Sequence, residues 1–490
     1  MCKYYVVVMS ETIAHYLQSY AQRNPEQDAV VCPAHYTLNG INAARCITYA
    51  DLEHNSSVIA HNFVMSGITK GKRVVVMVPP GIAFYEIVWA LFKIGAVVVL
   101  IDPGMGIKSF VHCVQSVEPF ACIGITRAHI VRTLFRRYFY SVVVNVSVGL
   151  PFPGCRSLVS LRQPLSNNHS LAPINGDDLA AILFTSGSTG PPKGVEYTHT
   201  IFQTQVEWIQ RTYTIKPGEI DFPVFPLFGL FATAMGMTTV IPPINPSKPA
   251  KASPRKMIHL IEQYQYISFG SPTFWRNVSR YCADHSLRFT RLNRVLMAGA
   301  PVSGDLVSAL HMVLPPGALC ATPYGATEAL PVATISGTEI LAETWDKTQQ
   351  GEGTCVGRPF EGITLLIIPI SDDPIDTIAD VVPCTTGEKG EIILKGPMVT
   401  QSYFNQPHAN RLAKIRDGDT YWHRMGDIGY YDADGRLWFC GRKNHRVTLS
   451  DATLFSDCCE AIFNRHPAVY RSALVEAKNN PVIIVELNYG

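Results

Sequence analysis

Short apolar runs rich in β-branched residues alternate with helical segments along most of this chain, and this alternation limits the folds open to it. Residues 82–94 and 254–264 repeat apolar side chains at helical spacing. Strands that alternate with helices form parallel sheets covered on both faces. The sequence therefore predicts an α/β fold whose large N-terminal body contains layered, mostly parallel sheets flanked by helices. The predicted strands lie at 73–78, 96–101, 121–125, 179–184, 266–270, 294–297 and 365–369.

The pattern changes near residue 385. Short strands with turn signals follow, including a Gly-Glu-Lys-Gly-Glu sequence at 387–391 and an Asp-Ala-Asp-Gly turn at 432–435. We expect a β-rich subdomain here, and a small C-terminal α+β lid after it. The polar stretch 156–175 is typical of a loop that crosses between sub-units.

Charge and composition exclude some functions. The chain has 490 residues with 41 Lys or Arg against 39 Asp or Glu, so its balance does not favour nucleic-acid binding. Charged residues make up 16% and hydrophobic residues 47% of the chain. This low charge fraction predicts a deep core, or a surface that handles an apolar ligand or a membrane.

No apolar run approaches the 18 or so residues of a spanning helix, so we expect no transmembrane segment. The N-terminus has too short an apolar stretch for a secretory signal, which favours the cytoplasm. The 13 cysteines are odd in number and form no Cys-x-x-Cys pair, so we expect free thiols rather than disulfides or a zinc site.

The strongest motif follows the predicted strand at 179–184. Thr185, Ser186, Gly187, Ser188, Thr189, Gly190 and Lys193 form a loop dense in hydroxyls and glycines with one lysine. Glycines let backbone N–H groups converge on an anion, hydroxyls donate to phosphate oxygens, and the lysine adds a charge. The spacing does not fit a Walker A loop. A flexible linker is the alternative, but linkers do not follow a buried strand.

This loop resembles that of the adenylate-forming enzymes, which include acyl-CoA synthetases, peptide-synthetase adenylation domains and luciferases. Further segments resemble the family's motifs and occur in the family's order. They lie at 47–52, 71–74, 93–97, 101–103, 298–301, 324–328, 356–359, 387–391, 425–427 and 441–442.

The resemblance implies that ATP and Mg²⁺ bind. The ring of Tyr324 suits stacking on adenine, the Thr327 hydroxyl suits the α-phosphate, and the Glu328 carboxylate suits Mg²⁺. Asp427 can accept hydrogen bonds from both ribose hydroxyls, and Arg442 can reach ribose or phosphate. The small residues Gly299, Ala300, Pro301 and Gly325 complete the implied nucleotide site. Thr185, Lys193, Thr327 and Glu328 are the implied catalytic residues.

Within the superfamily, the chain looks most like the β-lactone synthetases of bacterial long-chain olefin biosynthesis. This implies activation of a 2-alkyl-3-hydroxy fatty acid as acyl-AMP, followed by attack of its own β-hydroxyl and release of AMP. Other enzymes of olefin biosynthesis are possible partners. His199 and His423 are candidates for accepting the hydroxyl proton, although a structural or nucleotide-contacting role is favoured for both.

Two departures from typical CoA ligases support this subgroup. In those ligases, an acidic or lysine hinge, an Ile-Lys pair and a glycine serve the second half-reaction. Here Asn444 stands at the hinge, residues 447–448 replace the Ile-Lys pair, and residues 449–451 stand where the glycine would fall. Gly229 stands where many relatives have a histidine, which predicts an opening on the acyl side for a branched substrate. A long-chain acyl-CoA or acyl-carrier ligase remains the alternative enzyme.

The C-terminal part departs from the family pattern. We expect an AMP-binding domain at 1–443 and a partial lid at 444–490. Lys478 lies in a predicted turn and does not match the context of the family's C-terminal catalytic lysine. A lid that is cut short predicts a chain that binds ATP or acyl-AMP but adenylates poorly. An ATP-binding subunit of a multi-enzyme complex is the non-enzymatic alternative.

Overall fold

The computed structural model describes residues 12–33, 35–37, 40–165, 171–185, 191–225, 228–245, 248–264 and 266–488. The chain divides into two compact units. Unit 1 comprises Met1–Lys251 and Tyr403–Asn405, and unit 2 comprises Ala252–Ser402 and Gln406–Gly490. The boundary at 443/444 that the sequence suggests for a lid stays a prediction.

Unit 1 alternates strands and helices, as the sequence predicts. Its strands are β1 (Asp28–Cys32), β2 (His35–Thr37), β3 (Gly40–Asn42), β4 (Arg45–Thr48), β5 (Arg73–Met77), β6 (Val97–Ile101), β7 (Ala121–Ile125), β8 (Val144–Val148), β9 (Arg156–Ser157), β10 (Leu179–Thr185), β11 (Lys193–Thr198), β12 (Ile220–Asp221) and β13 (Thr238–Val240). Its helices are α1 (Ile13–Arg23), α2 (Tyr49–Met65), α3 (Ile82–Lys93), α4 (Ile107–Val117), α5 (Thr126–Leu134), α6 (Leu158–Leu161), α7 (His199–Thr212) and α8 (Phe228–Ala234). Short 3₁₀ turns lie at Pro103–Met105, Arg136–Phe139 and Pro249–Lys251.

The main sheet of unit 1 has the strand order β11-β10-β6-β5-β7-β8-β9. All of its neighbouring strands are parallel except the β10–β11 pair at one edge. Outside this sheet, strands of unit 1 pair with one another in the order β12-β13-β1-β4. The segment 156–175 is not wholly a loop, since β9 extends the main sheet and α6 follows it.

The core of unit 1 explains its apolar sequence runs. Side chains of β5, β6 and β10 pack against Phe110 and Val114 of α4. Helix α3 is buried along almost its whole length, including Glu86. That carboxylate accepts a hydrogen bond from Asn55 at 2.9 Å and forms an ion pair with Arg162, which offsets the cost of burying its charge.

Unit 2 contains the remaining elements. Its strands are β14 (Tyr266–Gly270), β15 (Leu292–Met297), β16 (Leu319–Ala326), β17 (Ala329–Ser336), β18 (Thr354–Pro359), β19 (Thr364–Ile368), β20 (Gly390–Lys395), β21 (Lys414–Asp417), β22 (Thr420–Tyr431), β23 (Leu437–Arg442), β24 (Val447–Thr448), β25 (Thr453–Leu454), β26 (Val469–Ala477) and β27 (Asn480–Leu487). Its helices are α9 (Pro254–Gln263), α10 (Pro272–Asp284), α11 (Gly304–Val313), α12 (Gly337–Glu339), α13 (Trp345–Gln349), α14 (Pro407–Ala413) and α15 (Ser456–Asn464). A π-helical turn spans Ile340–Thr344, and 3₁₀ turns span Ile378–Asp380 and Lys443–His445.

The sheet of unit 2 changes character along its width. Its order is β19-β20-β22-β23-β18-β17-β16-β15-β14, with β21 paired to β22. Strands β14, β15 and β16 are parallel, and the pairs from β16 to β19 are antiparallel. The β-rich part therefore begins at the β16–β17 hairpin, earlier in the chain than the change near residue 385 suggests.

The structure agrees with three other predictions. Lys478 does lie in a turn, between the paired strands β26 and β27. The cysteines of the described residues are free thiols. No helix among those residues combines the length and the apolar character required to cross a bilayer.

Candidate active site

The predicted phosphate loop joins two strands of unit 1. Strands β10 and β11 pair antiparallel, with Thr185 opposite Lys193, so the loop connects the ends of a hairpin. Gly194 is required by close packing, because a Cβ there would meet Ile182 at 2.9 Å and Phe184 at 3.1 Å. The predicted binding residues Ser186, Gly187, Ser188, Thr189 and Gly190 lie outside the described residues.

Lys193 lies beside an aromatic side chain from a distant part of the chain. Its ammonium nitrogen is 4.9 Å from the centre of the Tyr403 ring. A β-bridge between Val195 and Tyr403 holds this ring in place, and the Phe404 N–H donates to the Gly194 carbonyl at 2.8 Å. A cation over a ring face gains modest electrostatic stabilisation and leaves its N–H groups free to turn toward an anion. Sequence reasoning missed Tyr403, because nothing near it marks the contact.

The predicted Mg²⁺ glutamate occupies the turn of a hairpin in unit 2. Thr327 and Glu328 connect β16 to β17. The Thr400 N–H and hydroxyl both donate to the Glu328 carbonyl, at 2.9 and 3.0 Å, and fix the turn. Gly325 has no room for a side chain, because a Cβ there would meet the Ala329 carbonyl oxygen at 2.6 Å. Both side chains of the turn are half-buried.

Three of the predicted nucleotide residues meet in unit 2. Asp427 on β22 lies directly opposite Arg442 on β23. The Tyr324 hydroxyl donates to Asp427 Oδ2 at 2.6 Å, and Arg442 Nη1 lies 2.9 Å from Asp427 Oδ1. Oδ1 is buried, and its described partner is the Arg442 guanidinium. Each carboxylate oxygen has more than one acceptor position, so Oδ1 can accept a further hydrogen bond from a ligand.

The electrostatics of this cluster are unusual. Burial raises the pKa of Asp427 to about 6, while Arg442 and the hydrogen bond from Tyr324 oppose that shift. The nearby Glu328 carboxylate raises the Asp427 pKa further. Burial also raises the pKa of Tyr324 well above its usual value, which keeps its hydroxyl a donor. The surroundings of Asp427 thus make its ionised form unfavourable. Carboxylates with such raised pKa values are common in functional sites.

The Gly299, Ala300 and Pro301 segment lies at the same sheet edge as the Tyr324 motif. It follows β15, which is parallel to β16, and the carboxyl ends of parallel strands share one edge. All three residues are exposed, and Gly299 has a φ of +91° that favours glycine. The segment is thus placed to lie along a planar ligand.

Glu328 fits a magnesium ion that is also held by substrate phosphates. Among the described residues, no group of three or more His, Cys, Asp or Glu side chains is arranged to hold a metal. Mg²⁺ commonly takes one or two carboxylates and completes its shell with water and phosphate oxygens. A single glutamate in a fixed turn agrees with that pattern.

The two candidate bases are both buried. Burial lowers the pKa of His199 to about 4, so its ring is neutral near pH 7 and a weak proton acceptor. It lies edge-on to Phe92 with ring centres 5.9 Å apart. His423 is 2% exposed on β22. His199 therefore fits the structural role better than the catalytic one.

The opening expected at Gly229 is absent. A Cβ at this position would lie 1.9 Å from the Tyr85 hydroxyl oxygen and 2.8 Å from a Thr239 methyl carbon. Tyr85 therefore fills the space that a side chain at residue 229 would occupy. The prediction of a wider acyl side was wrong on this point, because the sequence does not reveal that α3 delivers a tyrosine to the same place.

The segment after β23 is attached to the body of unit 2. The Lys443 ammonium donates to the Ser371 carbonyl at 2.8 Å and lies 3.2 Å from Glu391 Oε1. Arg446 pairs with Asp372 and donates to the Lys443 carbonyl at 2.8 Å. The predicted hinge residue Asn444 thus lies between two anchored basic side chains.

Comparison with known proteins gives a consistent result. The model of the AMP-binding enzyme family matches residues 17–404. The olefin beta-lactone synthetase of Xanthomonas campestris pv. campestris is 42% identical over 98% of this chain and 87% of its own length.

Solved structures support the fold. The amide bond synthetase McbA from Marinactinospora thermotolerans superposes with a TM-score of 0.78 at 20% identity, over 98% of this chain and 90% of that chain. O-succinylbenzoate coenzyme A synthetase from Bacillus subtilis, in complex with ATP and magnesium ion, has a TM-score of 0.73 at 20% identity, over 96% of this chain and 88% of that chain.

Proposed function

This chain belongs to the AMP-binding enzyme family, and we propose that it activates a long-chain 2-alkyl-3-hydroxy acid with ATP and closes the product to a β-lactone. Enzymes of this adenylate-forming group use ATP, and the present chain is such a ligase. The identity of the acid and the roles of individual residues are the parts proposed here.

In the first step, a carboxylate oxygen of the acid attacks the α-phosphorus of ATP and pyrophosphate leaves. Lys193 and the Thr327 hydroxyl stabilise the negative charge on the phosphates. The role of the Thr185 hydroxyl stays a prediction, since that side chain lies outside the described ones. Glu328 would hold Mg²⁺, which neutralises phosphate charge when it is bound. Asp427 and Arg442 hold the ribose, and Tyr324 lies along the adenine.

The nucleotide part of the proposal is supported chiefly by the buried Asp427 carboxylate, whose Oδ1 atom pairs with the half-exposed Arg442 and keeps an unused acceptor position. A ligand that donates to this unused position would add a charge-assisted hydrogen bond. Ribose hydroxyls are suitable donors. The position of this oxygen beside Tyr324 and Arg442 supports assignment of the ribose and base to this edge of unit 2.

In the second step, the β-hydroxyl oxygen of the substrate attacks the acyl carbonyl carbon and a four-membered ring forms. The bond between the acyl carbon and the phosphate oxygen breaks, and the hydroxyl proton passes to the phosphate of the departing AMP. A nucleophile within the same molecule requires only a suitable geometry and the exclusion of water. No second substrate has to enter. The anchored segment around Asn444 is compatible with this, because a site that never admits CoA does not require that segment to rotate.

Product analysis tests the proposal. The purified chain is incubated with Mg·ATP and a 2-alkyl-3-hydroxy acid, with and without CoA, and the products are identified by mass spectrometry. We expect a β-lactone and AMP in both samples. The 2-alkyl acid without the hydroxyl is the matched substrate control, and it should stop at acyl-AMP.

Other products would decide between the alternatives. A thioester that forms only with CoA would contradict the lactone and identify an acyl-CoA ligase. Acyl-AMP alone from the hydroxy acid would indicate a stalled enzyme. Lys478 is exposed in the β26–β27 turn. The expectation of slow adenylation, which follows from its unsuitable context, stays a prediction that the rate of pyrophosphate release would measure.

A further inference from the structure

The distribution of charge along unit 1 is strongly uneven. Residues 119–176 contain six arginines and neither Asp, Glu nor Lys. The whole chain has a formal net charge of only +2, so the rest of it is net negative. A basic segment of this length in a nearly neutral protein creates a local positive field.

Helix α5 exposes a stripe of mixed basic and aliphatic residues. Arg127, Ile130 and Leu134 follow one another at intervals of three and four, so they lie on one face of the helix. Leu134 is 73% exposed and Ile130 is 46% exposed. The buried residues of the helix, Ala128 and His129, lie on another face.

The basic groups of this region are not neutralised within the described part of the chain. Arg136 and Arg137 follow α5 directly and are exposed. Neither they nor Arg127 form an ion pair with a described residue, and Arg137 contacts the neighbouring Tyr138 instead. Their charges are therefore available to an external anion.

A further exposed leucine lies beside the same helix. The Leu150 carbonyl oxygen is 3.5 Å from Thr126 Oγ1 in the first turn of α5, and Leu150 is 74% exposed. We call Arg127, Ile130, Leu134, Arg136, Arg137 and Leu150 the α5 surface. One exposed leucine has no special meaning. Several that protrude among unpaired arginines form the pattern of a surface that inserts shallowly into a lipid interface.

We propose that the α5 surface binds membranes that contain anionic lipids. The arginines bind lipid phosphates, and the leucine and isoleucine side chains enter the boundary between head groups and acyl chains. Separate aliphatic side chains that project from a helix fit a fluid lipid surface better than a protein partner, which would require complementary pockets. This inference goes beyond the proposed function and does not depend on it.

Vesicle co-sedimentation of the full chain tests the proposal. One set of vesicles contains phosphatidylcholine alone, and the other contains about a quarter phosphatidylglycerol. We expect binding to the anionic vesicles that weakens as salt is added. The triple variant Arg127→Gln, Arg136→Gln and Arg137→Gln should bind roughly a hundredfold less tightly.

A second variant and a matched control separate insertion from charge attraction. Leu134→Ser with Leu150→Ser should reduce binding about tenfold or more, because the variant loses the apolar contact while it keeps every arginine. Val382→Ser is the control, since Val382 is also 74% exposed but lies near Asp372, Asp373, Asp376 and Asp380. It should bind like the unmodified chain.

The outcomes decide the proposal. Failure of the unmodified chain to prefer anionic vesicles overturns it. Binding that needs the arginines but not the leucines also overturns it, because the vesicles are then held by charge alone and no aliphatic side chain enters them. Unchanged melting temperature and nucleotide binding show that the exposed substitutions leave the fold and the active site intact.

Discussion

Two arginine–carboxylate pairs lie in the same sheet of unit 2, and they differ in how completely they are hydrogen-bonded. Arg424 donates to both oxygens of Glu391, at 2.6 and 3.1 Å, and its side chain is 2% exposed. Its remaining N–H groups reach the carbonyls of Asp373, Leu412 and Ser371. Arg442 lies 2.9 Å from a single oxygen of Asp427, and its side chain is 44% exposed.

The difference separates a structural pair from the pair that we propose binds the nucleotide. Every N–H group of Arg424 donates to an acceptor within the protein, and both oxygens of Glu391 accept from it. The guanidinium therefore has no donor left for a ligand. Asp427 is as buried as Glu391, yet it has fewer described partners, namely the Tyr324 hydroxyl and one nitrogen of the half-exposed Arg442. Burial of a charge is thus not by itself a sign of function. An unfilled hydrogen-bonding position beside that charge is the more informative observation.

The largest effect should come from Glu391→Gln. This change leaves the Arg424 guanidinium buried without a counter-charge, and we expect a loss of about 3–5 kcal/mol in the free energy of unfolding. Urea denaturation followed by circular dichroism measures it. The exposed pair of Arg471 and Glu486 supplies the control, since Arg471→Gln should change stability little. Equal effects of the two changes would contradict the comparison.

Asp427→Asn should weaken nucleotide binding and yet stabilise the fold. Loss of a charge-assisted hydrogen bond to ribose costs about 1.5–3 kcal/mol, or roughly tenfold to over a hundredfold in affinity for an acyl-adenylate analogue. Isothermal titration calorimetry measures that affinity.

The stability of this variant follows from the raised pKa of Asp427, about 6 in the folded chain. The folded state binds the proton more tightly than the unfolded state, so stability falls as pH rises from the ordinary aspartate pKa to about 6. The ionised form is therefore unfavourable at pH 8, and Asp427→Asn should gain about 1–3 kcal/mol there. A gain that persists below pH 4 would show a different cause.

Affinity for the nucleotide should fall on acidification through pH 6. Protonation of Asp427 removes its charge near the pKa of about 6, where an ordinary aspartate remains ionised. A tenfold loss by about pH 5 is expected with an acyl-sulfamoyl adenosine, whose linker does not titrate in this range. The same titration of Asp427→Asn should be flat between pH 5 and pH 7, and a matching slope in that variant would assign the titration to another group.

The smallest effect on stability should come from Arg442→Gln. Its side chain is half-exposed, so its ion pair with Asp427 contributes less than about 1 kcal/mol to folding. Affinity for the acyl-adenylate analogue should still fall several-fold, since the proposal places Arg442 against the ribose or phosphate. Thermal melting and calorimetry on one preparation measure both. A large drop in melting temperature would make this pair resemble that of Arg424 and Glu391.

Local signals in the sequence predicted much of the architecture. The strand at 121–125 and the helix starting at residue 82 agree closely with β7 and α3, because their apolar periodicity and bounding turns are local properties. The sequence pattern predicts the β-rich part only from about residue 385, whereas the antiparallel pairs begin at β16. Strand pairing depends on residues far apart in the chain, so local patterns do not reveal it. Segment 156–175 hides α6, which is too short for periodicity to reveal.

The candidate site shows the same division. Asp427, Arg442 and Tyr324 were identified by motif, and the structure brings them together in one cluster. The sequence does not predict that Tyr85 lies beside Gly229 or that Tyr403 lies beside Lys193. Each contact joins parts of the chain that are far apart in sequence. No local pattern records such a neighbour.

By itself, the sequence determined the kinds of groups available: a hydroxyl- and glycine-rich loop with a lysine, a glutamate in a turn, and an aspartate and an arginine near the ends of two strands. These are chemical properties of residues and of their spacing. Only the tertiary structure decided that Asp427 is buried with fewer hydrogen-bond partners than Glu391, and that Tyr85 occupies the space beside Gly229. Burial and hydrogen-bond completion depend on which distant segments pack together, and that packing arises only when the whole unit folds.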